Sequence, residues 1–378
     1  MQPAIRTDLE IHRRILELIR AGQAATRKEL ADRLGASAST ISLRARELID
    51  AGLLIDEGAL DSTGGRPAHS LRLAGSERLI LVAELGTSHA RLGIAQTDGE
   101  LIDSRSIGID VSRGPARVLD ALSDAFRSLV DSQPAPRPVG AICVGLPAPI
   151  DHSNGSVDMS SRLRGWQRYP IARRLRDAFP VPVLVENDAD VIALGEHLAH
   201  PGIRHSITVK AGTSVGVGLI IDSRLHRGAN GAAGDISHVR MPAFGDLPCA
   251  CGKSGCLDTV VSGSALARQW SAATGSSQRF HDLLEAASNG EGRAIELLRI
   301  AGGRLGEALS AVAGLVNPDA IFIGGLASTS EDFIAAIRAS LYSNCHPLIT
   351  RDLTIDRVST GADAGIRGAV ALGAEALG

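Results

Sequence analysis

Three cysteines crowd into one short stretch, Cys249-Ala-Cys251-Gly-Lys-Ser-Gly-Cys256, and His238 stands a little before them. Three thiolates and one imidazole make a complete tetrahedral donor set for zinc. Gly252 and Gly255 permit the tight loop that would bring three sulfurs onto one ion. With all four positions filled by protein, such a zinc has no open site; it would hold His238 and the following segment in place and would not catalyse. The chain carries five cysteines. In a reducing compartment the cluster points to metal ahead of disulfides. Cys143 and Cys345, each alone in the sequence, are expected as small buried apolar side chains.

A second chemical signature occurs twice. Gly86-Thr87-Ser88 joins the apolar runs LILVAEL and ARLGIAQ, and Gly212-Thr213-Ser214 joins SITVK to VGVGLII. Both read as strand-turn-strand units, because short β-branched runs flank a glycine turn. Glycine lets backbone N–H groups approach oxygen closely, so a pair of such turns suits gripping a nucleotide phosphate in a cleft between two lobes. Gly86 and Gly212 lie 126 residues apart, which predicts an internal repeat. After the first unit come the strand LIDSRSIGI, a helical stretch after Pro115, and the strands VGAICVGLP and VPVLVEND. After the second come Asp222-Ser223, further helices and the strand AIFIGG.

The third group lies near the front of the chain. Residues 8–21 space Ile11, Ile15, Leu18 and Ile19 as one helical face. Thr26 with Glu29 forms a capping-box pattern, predicting a second helix through Leu34 that Gly35 ends. Ser37 or Ser39 can cap a third helix through Leu43, Leu48 and Ile49, ending near Gly52. Two short helices joined by a glycine-containing turn fit a helix-turn-helix. The first turns of the third helix offer Ser37, Ser39, Thr40, Ser42 and Arg44 to base edges and phosphates. Leu53–Ile55 and Ser70–Leu73 read as the strands of a wing, and Arg66, inside Gly64-Gly65-Arg66-Pro67, is expected at the DNA backbone or in a minor groove.

Bulk properties bound these readings without choosing among them. The 378 residues suffice for two or three domains, and 44% hydrophobic with 21% charged residues is ordinary for a globular protein. Aromatics make up only 3%, so the cores must be aliphatic. The net charge is −3 overall, and residues 1–74 hold 11 Arg plus Lys against 10 Asp plus Glu, a net of +1. Charge alone therefore makes no case for DNA. The N-terminus has no uncharged apolar run of signal-peptide length, and nowhere do eighteen apolar residues follow one another. A cytoplasmic protein without membrane contact is expected.

Together these residues resemble the ROK family (repressors, open reading frames and kinases), in particular its transcription regulators of the NagC/Xyl-repressor type. TRKELADRLGASASTISLRARELIDAGLL followed by GGRPA is similar to the family's DNA-binding segment and wing, GDISHVRM through CACGKSGCLDT to its sugar-and-zinc signature, and VENDAD and NPDAIFIGGL to two further blocks. The resemblance implies an α/β fold: a duplicated, actin-like (ribonuclease H-like) two-lobe domain behind a winged helix-turn-helix. The division expected is 1–74 for the DNA-binding domain, 77–187 for the first lobe, completed by a C-terminal helix over 362–378, and 188–361 for the second lobe with the zinc loop. It further implies sugar contacts from Asn187, Asp188, Asp235, His238 and Asp258, with His238 serving zinc through one ring nitrogen and sugar through the other. In the family's kinases the residue matching Asp188 is the general base.

The departures decide between two activities. The kinases' first phosphate motif, Asp-x-Gly-Gly-Thr, is here Glu84-Leu85-Gly86-Thr87-Ser88, so a β-branched side chain replaces the second glycine. Ser214 stands where the second motif has glycine, Ser237 where kinases favour glycine, and Asp235 and Asp258 where they favour glutamate. Gly86, Thr87, Ser88, Gly212 and Thr213 thus read as vestigial, which speaks against ATP and magnesium. The expectation is a sugar-responsive transcription regulator, a repressor of carbohydrate-metabolism genes acting on operator DNA as a homodimer or homotetramer. An ATP-dependent sugar kinase with Asp188 as base is the alternative.

Overall fold

The computed structural model describes residues 8–20, 22–51, 53–59, 69–73, 78–158 and 163–377. Its first unit is a three-helix bundle with a β-hairpin. Helices Asp8–Arg20, Arg27–Leu34 and Ala38–Asp50 enclose Ile15, Leu30, Ile41, Ala45 and Leu48. The second helix starts where the sequence predicts. Thr26 Oγ1 accepts from the Glu29 amide, the Glu29 carboxylate accepts from the Ala25 and Thr26 amides at 2.7 and 3.0 Å, and Gly35 closes the helix at φ 60°. The third helix is capped by Ser37, not Ser39: Ser37 Oγ accepts from the Thr40 amide at 3.1 Å. Strands Leu54–Ala59 and His69–Leu73 pair antiparallel behind it. Because Thr26 is nearly buried and its cap is reciprocal, Thr26→Ala should cost this helix about 1 kcal/mol. Faster hydrogen exchange across Arg27–Leu34 in the full chain would report it.

Behind this unit stand two five-stranded sheets of the same construction. The first runs Leu101–Gly108, His89–Gln96, Leu79–Leu85, Val139–Leu146, Val183–Asn187 from edge to edge. The second runs Arg224–Leu225, Val215–Ile221, Ser206–Ala211, Ala320–Gly324, Thr354–Arg357. In each, three antiparallel strands meet two parallel ones. The repeat expected from the paired Gly-Thr-Ser turns is therefore present in the topology. Both central strands are buried on both faces, as strands covered by helices must be, although the second turns Ser206, Thr208 and Lys210 to one face.

Two helices lie between the sheets. Asp188–Leu198 packs on the second sheet, where Gly218 leaves no room for a Cβ beside the Ala189 carbonyl. Ala364–Glu375 packs on the first, placing Ile366, Ala369 and Val370 against Ile80, Val82 and Cys143. The helices cross at Gly195 and Gly368, each of whose missing Cβ would stand 1.9 Å from the opposite helix's carbonyl oxygen. Near the crossing, the wholly buried Glu196 carboxylate receives the Ser359 and Thr360 amides at 2.7 and 3.1 Å, pinning the entry to the last helix. Cys143 is fully buried, and burial pushes its thiol up; Cys345 is half-buried and leans on the Ser310 carbonyl. No helix among the described residues is long and apolar enough to cross a membrane.

Candidate functional site

The loop after His238 gathers all four donors anticipated for a metal. The ligand atoms of His238, Cys249, Cys251 and Cys256 lie within 4.8 Å of one another. His238 Nδ1 is 3.5 Å from Cys249 Sγ, and Cys251 Sγ is 3.6 Å from Cys256 Sγ. Zn–S bonds of about 2.3 Å and a Zn–N bond of about 2.0–2.1 Å at tetrahedral angles place neighbouring ligand atoms about 3.5–3.8 Å apart, so the donor set fits the ion in type and spacing. A metal held there supplies a structural crosslink. Gly252 and Gly255 take φ of 87° and 70°, the conformations that turn the loop back on itself. With Nδ1 turned to the thiols, Nε2 is the nitrogen left for the cavity that His238 lines.

That cavity, of about 690 Å³, opens where the first sheet's strand ends meet the second sheet's hairpin. Asn187, Asp188, Asp235 and His238 line it; Asp258 does not. Asp258 stands 5% exposed behind Val215, whose amide it receives at 3.5 Å. Asn187 is the helix cap: its Oδ1 accepts the Ala189 amide at 2.8 Å, and its Nδ2 donates to the Ala148 carbonyl at 3.1 Å. Asp188 occupies the first turn of that helix, nearly buried, its Oδ2 in direct contact with the Lys210 ammonium. Asp235 Oδ1 accepts from the Ser237 hydroxyl at 2.7 Å.

Of the phosphate-type turns, Ser214 of the second lines the cavity and Gly86, Thr87 and Ser88 of the first do not, and the glycine amides of both are already engaged. Gly86 N–H donates to the His89 carbonyl at 2.8 Å, and Gly212 N–H to the Ser214 carbonyl at 3.1 Å. Thr87 and Ser88 are exposed. Glu84, at the head of the first turn, is half-buried against Gly365; desolvation pushes its carboxyl up to about 7, with Lys210 opposing and Asp188 adding to the rise.

Sequence reasoning passed over several cavity residues. Asp158, Gln167, Asp190 and Lys253 line it, as does the Asn230–Gly234 loop. Gly231 of that loop sits against the Ile150 carbonyl of the first lobe, too close for any Cβ. The run Gly228-Ala-Asn-Gly-Ala-Ala-Gly234 carried a signal of close backbone approach; Gln167 carried none.

On the helix-turn-helix, Ser39 and Ser42 are exposed and Thr40 half-exposed, whereas the Ser37 hydroxyl serves the cap. Arg44 lies otherwise than its sequence reading implies. Its guanidinium grips Glu47 at 2.7 and 2.9 Å, Glu47 also binds His12 of the first helix at 2.7 Å, and only 16% of the Arg44 side chain is exposed. The outward face is instead Ser39, Ser42, Leu43 and Arg46, spaced at three and four residues, with Leu43 50% exposed. Arg66 lies outside the described residues.

What fold and site define together is a two-lobed protein with a cleft and a metal-competent loop, headed by a helix-turn-helix. The ROK family profile matches residues 81–376, and a winged helix-turn-helix DNA-binding profile matches residues 8–55. The chain belongs to the ROK family. It is 27% identical over 345 residues to a putative xylose repressor of Caldicellulosiruptor sp. strain Rt8B.4, covering 87% of this chain and 86% of that protein. It is 27% identical over 311 residues to a glucokinase of Halalkalibacterium halodurans, covering 78% and 94%. A solved ROK family transcriptional regulator, a homologue of the E. coli MLC protein, superposes with a TM-score of 0.80 at 25% identity, over 98% of this chain and 96% of that one.

Proposed function

We propose that the protein is a carbohydrate-responsive transcriptional repressor, in which a sugar bound between the lobes sets how the helix-turn-helix meets operator DNA. One observation carries the choice over a kinase: a capped helix-turn-helix stands ahead of the two lobes with Ser39, Ser42, Leu43 and Arg46 turned outward, a unit that phosphoryl transfer to a sugar does not need. The putative xylose repressor and the solved transcriptional regulator, which match 87% and 98% of this chain, support the same reading.

In this reading Asn187, Asp188, Asp235 and His238 address sugar hydroxyls, zinc fills the His238–Cys249–Cys251–Cys256 set, and Asp258 acts from behind Val215. Two copies would present their reading helices to half-sites about 34 Å apart, or a multiple of that. For the sugar to turn 99% bound operator into 99% free, it must prefer one state by about 10⁴-fold, about 5.5 kcal/mol.

The reading face assigns base contacts to Arg46 and a thymine-methyl contact to Leu43. Arg46→Ala should weaken operator binding about 10- to 100-fold and relax preference at one base pair. Arg44→Ala should instead loosen the link between first and third helices; anisotropy titrations paired with thermal melts separate the two outcomes. Genomic footprinting with and without candidate sugars tests the function as a whole. Sites that empty when one sugar is added are expected; absence of any specific site overturns the reading.

A further inference from the structure

Three carboxylates stand where the strand Val183–Asn187 runs into the helix between the lobes, and two of them have a cation of their own. Asp188 is in contact with Lys210. Glu186 is held by the Arg227 guanidinium at 2.7 Å, with His152 Nε2 at 3.4 Å. Asp190 has none. It lines the cavity, is 3% exposed, and its fully buried Oδ1 accepts no hydrogen bond among the described residues. A buried carboxylate without a partner is costly in its charged form, and proteins leave few such groups unmatched.

We propose, building on the carbohydrate reading of the cavity, that its ligand is an amino sugar whose ammonium group lodges against Asp190. The rest of the lining agrees. Asp158 and Asp235 bring two further carboxylates, whose oxygens accept hydroxyl hydrogens, against the single cation Lys253. A phosphorylated or carboxylated sugar would enter against this charge, and a neutral sugar would form no charge-assisted pair with Asp190. An ammonium within hydrogen-bonding reach converts the orphan into a charge-assisted pair.

The ligand-free protonation state follows from the surroundings. Burial first, then the charges of Glu186 and Asp188, push the Asp190 carboxyl up to about 8, with Arg227 opposing. At neutral pH the empty site therefore holds Asp190 as the neutral acid. Binding the ammonium ionises it, and the proton leaves to solvent. Affinity for the amino sugar then rises with pH toward about 8 while the ligand amine stays protonated, whereas affinity for the parent hexose has no such dependence.

The test uses the full-length, zinc-replete chain and matched panels of 2-amino-2-deoxyhexoses, their parent hexoses and the corresponding 6-phosphates, titrated calorimetrically. One amino sugar should bind at least about tenfold tighter than its parent, corresponding to one charge-assisted contact, and the phosphates more weakly than either. Asp190→Asn should bring amino-sugar affinity down to that of the parent hexose measured on the same variant. If that variant fails to fold, the native protein still decides: titration in two buffers of different ionisation enthalpy should show proton release with the amino sugar and none with the hexose. Equal or tighter binding of the hexose or the 6-phosphate, a preference that survives Asp190→Asn, or no proton release would each overturn the inference while leaving a carbohydrate site. If no sugar of any panel binds, the carbohydrate reading itself falls.

Discussion

Cys256→Ser is expected to purify without stoichiometric metal and to lose carbohydrate affinity by more than about a hundredfold, while still binding operator DNA. The reason lies in what else holds the loop. Between Met241 and Cys256 few side chains reach a core: Leu247 is 50% exposed and Val239, just upstream, 49%. The backbone bonds Cys249 N–H to Lys253 carbonyl, Gly255 N–H to Leu247 carbonyl and Met241 N–H to Gly255 carbonyl, at 2.8–2.9 Å, are internal to the loop or to its neck. With so little burial, a metal bound there would take the place of a hydrophobic core, and zinc binding of about 10–16 kcal/mol in small zinc-folded peptides shows how much of a loop's order one ion can supply. Serine offers neither a thiolate nor the longer bond to sulfur. Release of His238 Nδ1 then frees the imidazole to rotate, and Asp235, Ser237 and His238 lose their fixed positions on the cavity wall. Elemental analysis alongside calorimetric titration checks both halves of the expectation; metal loss with undiminished sugar binding would disconnect the loop from the site.

The second large effect is expected at the helix crossing. Gly368→Ala places a methyl 1.9 Å from the Val191 carbonyl oxygen, and Gly195→Ala does the same to the Ala364 carbonyl. Neither contact can be relieved by a rotamer change, because the obstacle is backbone; the helices must move apart, opening the packing of Val191 against Ile366 and Ala369. A loss of about 3 kcal/mol or more is expected, near the upper end for overpacking. For a domain of this size that corresponds to a drop in Tm of roughly 6 °C or more. Gly303→Ala is the control. Gly303 sits within the long helix Gly292–Val316 with nothing within 4 Å of its would-be Cβ, so alanine there should raise stability by about 0.5–1 kcal/mol. Differential scanning calorimetry of the three variants reads opposite signs from the same chemical change. A Gly368→Ala protein as stable as the parent would mean that the two lobes are not joined through this crossing.

The parts legible in the sequence are those whose signals are local. The Thr26–Glu29 box, the Gly35 stop and the closely spaced cysteines each complete their chemistry within a few residues. Leaving Ser37 and Ser39 open as caps left the phase of the third helix open too. Its phase decides which arginine faces outward, since Arg44 shares a face with buried Ile41, Ala45 and Leu48 while Arg46 shares one with Ser39 and Ser42. The buried apolar triplet held that information. Asp190 was beyond reach for a different reason. The helix it belongs to is buried on nearly every side, from Asp188 through His197, so periodicity offers no clue to which acid is solvated and which is enclosed. Lys210 likewise sits near the end of its strand, where alternation alone reads as an outward-facing side chain; its role depends on Asp188, which the helix packed on the same sheet brings to it. The strand Thr354–Arg357 has one buried residue in four and becomes a strand only by pairing with Ala320–Gly324.

Coupling between the cleft and DNA is most directly tested by operator affinity of the full-length, zinc-replete protein, measured by anisotropy with and without the sugar that binds it most tightly. The expected result is a large change in Kd with sugar, approaching 10⁴-fold at saturation, that disappears in Cys256→Ser although the DNA is still bound. An operator Kd that stays the same at every sugar concentration, in protein shown to bind that sugar, would contradict the account.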